Sequence, residues 1–524
     1  MFTFFITIVV LQFIILSSLQ AQGKKYEGPD DPAGDIAAIR EGYMTGNRVF
    51  LYFKNTTELS DWPRVDVSKW PNTYDGVKML DGVALLVGAL VYIKNDTIPV
   101  TDPYEIELLS AQGLLDTLYY LQTSYREEMD RDPTGTVEWG FYPVFGYFNE
   151  LSETPAMSND PFSWPIGGWP DAPDFVDKDG NTEWNGRFGK GVMYADLETF
   201  FVANDAHDQE YLGPEDRVKY YPRPGRKIGE IRPATIQNGL PWGGIGVRVE
   251  QRGFQWNNPQ ARDALFWEYT IANISDYDLK DVAFGYWVDN AIGDAIAGAG
   301  DDDELGYFDT SIDMAYSWDI DGIGQGGFPT GTMGFAYLES PGLGYDGIDN
   351  DGDGLIDERR DNDAVMKVGP YDGIADLQKF LDFYRLNEED LKEHWDADED
   401  QDWQDGEDLN GDGIYQVHEF AGDDVGLDGI GPTELNYPGP DEGECNHKPD
   451  RKEGRAEPNF AETDVDESDM VGLTSFQLFP IQPHRPPYYR WFRNDKSMWE
   501  LIGQHTLMES IEWISNLVMT FASG

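Results

Sequence analysis

The sequence predicts a mainly β protein, an antiparallel β-sandwich that carries an acidic insertion and a few helices. Three observations lead there. Apolar residues recur with a period of two between Ile245 and Leu338, and 57 Gly and 31 Pro punctuate the 524 residues with turns. Acidic side chains crowd into the stretch that follows, from about 341 to 469. The chain has 97 acidic and 38 basic residues, a formal charge of −59. That balance excludes nucleic acid as a partner, because phosphate binding needs a basic face that releases counterions. At 40% hydrophobic and 14% aromatic, the composition also excludes a wholly disordered acidic chain.

Taken in order, Phe2 to Leu16 form an apolar run broken only by Thr3, Thr7 and Gln12, with Ser17, Ser18 and Ala21 after it. The run is short of the roughly 20 residues of a membrane span and suits a signal peptide, 1–21, cleaved after Ala21. Its first lysines are Lys24 and Lys25, so an uncleaved amino-terminal anchor is the alternative. Export places the protein in the extracellular space or at the cell surface. Cys445 is the only cysteine, so no intramolecular disulfide can staple the loops there.

An α+β region, 22–160, comes next. In it Val83 to Ile93 reads as a buried strand or hairpin, and Glu105 to Met129 as one amphipathic helix with Ile106, Leu108, Leu109, Leu114, Leu115, Leu118 and Leu121 at helical spacing. Trp139 to Trp184 reads as packed loop. The sandwich, 161–340, takes its strands from Ile245, Val247 and Val249; from Leu265, Trp267, Tyr269 and Ile271; and from Val282, Phe284, Tyr286 and Val288. The last two runs flank the polar turn Asn273 to Leu279 and are expected to pair with each other. Met314 to Trp318 and Thr332 to Leu338 add two strands. In the final region, 470–524, Met470 to Phe479 is expected to rejoin the sheet left at Leu338, and Asp495 to cap a helix reaching Phe521. An end directly after an apolar helix suggests a piece of a longer protein.

The insertion, 341–469, holds the chemistry. Its core, Asp346 to Asp469, contains about 40 acidic and about 10 basic residues, half of the total charge. Asp408, Asn410 and Asp412 stand at positions 1, 3 and 5 of a twelve-residue EF-hand loop, Gly413 at the sharp turn, Ile414 at the backbone-ligand position and Glu419 at the bidentate twelfth. Alternate residues of such a tight loop point inward and surround one hard cation with oxygen. Asp396, Asp398, Asp400, Asp402 and Glu407 repeat the spacing immediately before, with Gln401 in place of the turn glycine. The two loops abut, leaving no room for an exiting helix, so they suit serial structural sites better than a sensor. Asp349, Asp351, Asp353 and Asp357 form a third loop, with Gly354 at its turn. Calcium is the cofactor these donors indicate, and with no disulfide available it would tie loop to loop. Two weaker clusters, Asp289 with Asp301, Asp302, Asp303 and Asp309, and Asp177 with Asp179, Asn181 and Glu183, have similar donors.

Asp346 to Glu358 resembles the calcium-binding thrombospondin type 3 repeat and the D-G-x-D-N-D-C-D-G-x-x-D-E metal-binding repeat of secreted bacterial proteins, with Gly352 in place of the cysteine. The loss of a thiolate ligand favours calcium over copper. Phe266 to Asp289, Asp302 to Asp309 and Met314 to Asp319 resemble uncharacterised secreted β-sandwich proteins of Gram-negative bacteria; that resemblance implies export and β architecture and brings no reaction. No H-E-x-x-H, no G-x-S-x-G and no complete nucleotide fingerprint occurs, Trp242-Gly-Gly-Ile-Gly246 being read as a turn. The expected role is therefore a calcium-stabilised structural or adhesive protein. Its partners would be calcium ions, extracellular polysaccharide or other surface proteins. The alternative is a carbohydrate-binding or glycoside-hydrolase-like protein, for which Glu268, between Trp267 and Tyr269, is the one carboxylate beside aromatic residues on a strand that the reading singles out.

Overall fold

A computed structural model describes residues 26, 28–61, 68–123, 140–208, 218–229, 239–293, 304–309, 314–338, 475–480, 495–503 and 517–523, with short stretches between 354 and 445. Contacts divide the chain into two compact units, one of Met1–Lys24 and Tyr337–Gly472, the other of Lys25–Ala336 and Leu473–Gly524. The protein is mainly β, its sheets are antiparallel and its helices few.

Among the described residues, the larger unit holds four sheets of three or more strands. In the first, β1 (Glu41–Met44) pairs with β2 (Phe50–Lys54), and two short strands extend it. The strand β3 (Leu80–Lys94) is the spine of another sheet. It carries β4 (Leu115–Thr123) on one side, and on the other β8 (Lys280–Asn290), which follows β5 (Leu197–Asn204), β6 (Val247–Gln255) and β7 (Phe266–Asn273) in sequence. β5, β6 and β7 form a sheet of their own, in the order β7-β6-β5. The fourth sheet is β9 (Glu304–Asp309), β10 (Met314–Asp319) and β11 (Thr332–Ala336). The four are arranged like the blades of a propeller rather than as a clear sandwich.

The continuous apolar run of β3 follows from burial on both faces. Leu85, Val87, Ala89, Val91 and Ile93 pack against Ala203, Val247 and Val249 of the β5–β6 sheet. Ala84 and Leu86 turn the other way, into a cluster with Met498 and Ile502 of a helix near the end of the chain.

Two pairings and two helices depart from expectation. β7 and β8 do not pair: β7 joins β6, β8 joins β3, and their side chains meet across the core, with the Tyr269 and Tyr286 rings 5.9 Å apart. The helix expected over Glu105 to Met129 is α1 (Pro103–Ala111), after which β4 begins. Asp102 caps it by accepting from the Glu105 N–H at 2.8 Å, and it closes where Gly113 takes φ +66° and the Leu114 N–H reaches Leu109 O at 2.9 Å. The leucines beyond that cap serve a strand in which Leu118 and Tyr120 face the core. Similarly, β12 (Ser475–Pro480) does not rejoin the sheet of β11. It pairs with β13 (Leu517–Ser523), a strand at the end of the expected terminal helix, whose start is helical as α2 (Asp495–Ile502). β13 lies between β12 and β8. β12 still touches the β9 sheet, where Phe476 stacks on Phe308 at 5.3 Å.

Trp242-Gly-Gly-Ile-Gly246 is a bend held from inside. Asp205, fully buried, accepts from the N–H groups of Ile245, Gly246 and Val247 at 2.9–3.0 Å. Gly244 has φ +62°, and a Cβ there would lie 2.4 Å from Asp205 Oδ2, so no other residue fits. Burial pushes the Asp205 carboxyl up to about 7. Burial also lowers neighbouring His207, beside the Tyr142 ring, to about 4.

Candidate functional site

Asp349, Asp351, Asp353, Asp357, Asp398, Asp400, Asp402, Glu407, Asp408, Asn410, Asp412 and Glu419 lie outside the described residues. Asp396 ends the short strand His394–Asp396, opposite Met366, and Ile414 is exposed. Gly354 has φ +101°, the left-handed backbone its loop position requires, and its carbonyl accepts from the Ala375 and Asp376 N–H groups at 2.9 and 3.1 Å. A Cβ on Gly354 would stand 2.7 Å from the Phe380 nitrogen and 2.8 Å from Asp376 O. Gly354→Ala is therefore expected to destabilise this unit by about 1–3 kcal/mol, read from its urea midpoint.

Among the described residues, no group of three or more His, Cys, Asp or Glu is placed to hold a metal ion. The Asp177 cluster is instead an internally bonded turn. Asp177 accepts from the Asp179 and Asn181 N–H groups at 2.8 and 2.9 Å and from Asn181 Nδ2 at 2.8 Å, which holds its carboxyl below the usual range, while Glu183 pairs with Lys190 at 3.3 Å. Asp301, Asp302 and Asp303 lie outside the described residues; Asp289 is buried on β8, and Asp309 ends β9 opposite Met314.

What the sequence reading missed is a buried charge network on β6. Arg248, Glu250 and Arg252 alternate with the apolar side chains and were counted as simply polar. They face inward, under the tryptophan-rich loop, where Tyr147, Trp169, Trp184, Phe200 and Val202 form a core. Arg248 donates from Nε to Asp31 Oδ2 at 2.6 Å and from Nη2 to Tyr147 Oη at 3.1 Å, and the Tyr147 hydroxyl donates to Asp31 Oδ1 at 3.0 Å. The triangle is closed, and Arg248 and Asp31 side chains are only 3 and 4% exposed. Glu250 accepts from Arg248 at 3.3 Å and lies 3.6 Å from Arg252. Arg252 rests on the Phe200 ring at 4.0 Å and donates to Asn185 O at 2.6 Å. An Arg-x-Glu-x-Arg alternation in a strand was the available signal, since an isolated edge would have no need of such pairing.

Asn185 begins a two-residue hairpin, pairing with Lys190, that lifts Arg187 and Phe188 to its tip. There an aromatic surface is assembled. The Phe188 and Tyr194 rings lie 4.8 Å apart, Tyr194 and Trp256 5.4 Å, and Trp256 and Phe266 5.2 Å, all edge to face. Phe188 and Tyr194 are 61 and 58% exposed.

Comparison with family models, curated proteins and solved structures finds no match.

The ring surface is rigidly supported. Glu198, buried on β5, accepts from the Tyr194 N–H, from the Ala195 N–H at 2.8 Å and from Trp184 Nε1 at 2.7 Å. Trp256 Nε1 donates to Tyr194 O at 3.0 Å. Glu268, the carboxylate singled out in the sequence, pairs with Arg187 at 2.8 Å beside these rings. Of its two sequence neighbours, Trp267 meets Phe53 at 5.8 Å and Tyr269 faces the core. Among the described residues, no helix is long and apolar enough to cross a membrane.

Proposed function

We propose that this chain is an exported protein, extracellular or on the cell surface, whose acidic segment binds calcium and which works as a structural or adhesive module. The observation that carries the reading is the complete ligand spacing from Asp408 to Glu419. Its support among described residues is Gly354, whose positive φ suits the turn of the third loop. Carboxylates about 4 Å apart repel by roughly 4 kcal/mol at an effective dielectric of 20, and a divalent ion reverses that sign.

The test is thermal melting of the full chain in EDTA and in about 2 mM calcium, with calcium titration calorimetry. Sites of the extracellular class, with dissociation constants around 10⁻⁴ to 10⁻³ M, would each add about 0.7–1.8 kcal/mol at that concentration. Magnesium is expected to add little, because it gives up its water reluctantly. Asp408→Asn with Glu419→Gln should remove one site from the stoichiometry. Identical melting in EDTA and calcium would end this reading.

A carbohydrate-binding reading is favoured by one observation, the exposed rings around Tyr194. Its carbohydrate-cleaving form has less behind it, since Glu268 is engaged by Arg187.

A further inference from the structure

We infer that the Phe188–Tyr194–Trp256 surface is a preorganised platform for neutral polysaccharide, stacking sugar rings on Phe188 and Tyr194. The inference rests on the carbohydrate-binding reading and is independent of calcium.

Exposed aromatic rings alone are ordinary, but these are built in place. Two buried charged side chains hold the backbone beneath them: Glu198 binds the Tyr194 and Ala195 N–H groups, and Arg252 binds the carbonyl of Asn185 at the base of the Phe188 hairpin. The Trp256 indole fixes the Tyr194 carbonyl, and Asp196 accepts from the Asn257 N–H at 2.7 Å. Rings held this way lose little freedom on binding, which is how rigid aromatic side chains gain affinity.

Charge and area select the occupant. At the border of the rings Arg187 pairs with Glu268 at 2.8 Å and Lys190 with Glu183 at 3.3 Å, and the Asp196 carboxylate is taken by the Asn257 N–H, so the platform itself carries little charge. The chain's −59 charge repels a polyanion at long range. A basic ligand would meet Asp196 at the rings, a carboxylate already accepting from the Asn257 N–H at 2.7 Å. The two rings, exposed by 61 and 58%, with Val192 and Met193 exposed by 43 and 49% beside them, offer on the order of 400 Å², below the roughly 800 Å² that each partner buries in a stable protein interface. A sugar fits this scale: its C–H face stacks on a ring while its hydroxyls bond planar guanidinium and carboxylate groups at the border.

The experiment is titration of the full chain with neutral hexasaccharides of glucose, mannose and xylose, alongside oligogalacturonate and chitosan oligomers, followed by calorimetry and tryptophan fluorescence. At least one neutral hexasaccharide should bind saturably. Phe188→Ala and Tyr194→Ala should each weaken it about tenfold, Tyr194→Phe should preserve it, and none should change the melting temperature or its response to calcium. Binding that survives both alanine substitutions, or that is confined to charged oligomers, overturns the assignment to this surface while leaving a carbohydrate-binding protein. Failure of every oligosaccharide to bind overturns both.

Discussion

Arg248→Met is expected to cost about 3–5 kcal/mol, because it strands the Asp31 carboxylate among buried groups. Asp31→Ala should cost less, because Glu250 still accepts from the guanidinium at 3.3 Å. The two losses share one origin. The pair is closed by Tyr147, so the double variant Arg248→Met with Asp31→Leu still leaves a buried hydroxyl without its partners. Adding Tyr147→Phe removes that hydroxyl and should recover most of the stability, since a buried ion pair replaced by apolar side chains of similar volume is often neutral. Urea melts of the single, double and triple variants give the coupling directly. Additive losses across the series would show that Arg248 is not held by this triangle. The expectation has a topological side. Asp31 lies far from Arg248 in sequence, so the triangle pins the N-terminal segment to the β6 sheet, with Asn204 receiving the Gly34 N–H at 2.8 Å nearby.

Asp205 and His207 are expected to give opposite pH dependences that cancel in the parent protein. Folding lowers the His207 pKa from 6.5 to about 4, so between those values the unfolded chain holds the extra proton and stability rises with pH. Folding raises the Asp205 pKa from 3.8 to about 7, so over nearly the same window the folded chain holds the extra proton and stability falls as pH rises. One group removes what the other supplies. His207→Gln should therefore tilt the stability curve downward with rising pH between about 4 and 7, and Asp205→Asn should tilt it upward between about 4 and 6.5. Each change in slope relative to the parent approaches roughly 1.4 kcal/mol per pH unit. Urea midpoints at half-unit intervals measure it. Slopes that change in the same direction in both variants would contradict the opposed titration.

Legibility followed the range of the physics involved. The run from Val83 to Ile93, read as a buried strand or hairpin, is one strand, and the alternations at Ile245–Val249, Leu265–Ile271 and Val282–Val288 each became a strand. The leucines after Gly113 misled because residues at i, i+3 and i+4 also satisfy a strand covered on both sides. The terminal segment misled for a similar reason: Leu517, Val518, Met519 and Phe521 suit either period, and the open position between β8 and β12 took them as a strand. The candidate surface was hardly visible, because Phe188, Tyr194, Trp256 and Phe266 are scattered over a hairpin, a loop and a strand edge. Only Glu268 was singled out beforehand, and its partner Arg187 lies 81 residues away.

The amino-acid order by itself determined several strands between Ile245 and Leu338, where acid accumulates and how its oxygen donors are spaced, because periodicity, turn chemistry and ligand spacing act over a dozen residues or fewer. Tertiary structure alone decided which strands pair and which polar face is buried. Backbone hydrogen-bonding groups are the same in every strand, so β7 and β8 were separated not by their own sequences but by the better cover that β6 and β3 offered them. The charges of β6 went inside for the same kind of reason: a distant tryptophan-rich loop covered them, and Asp31 and Tyr147 were there to pair with Arg248.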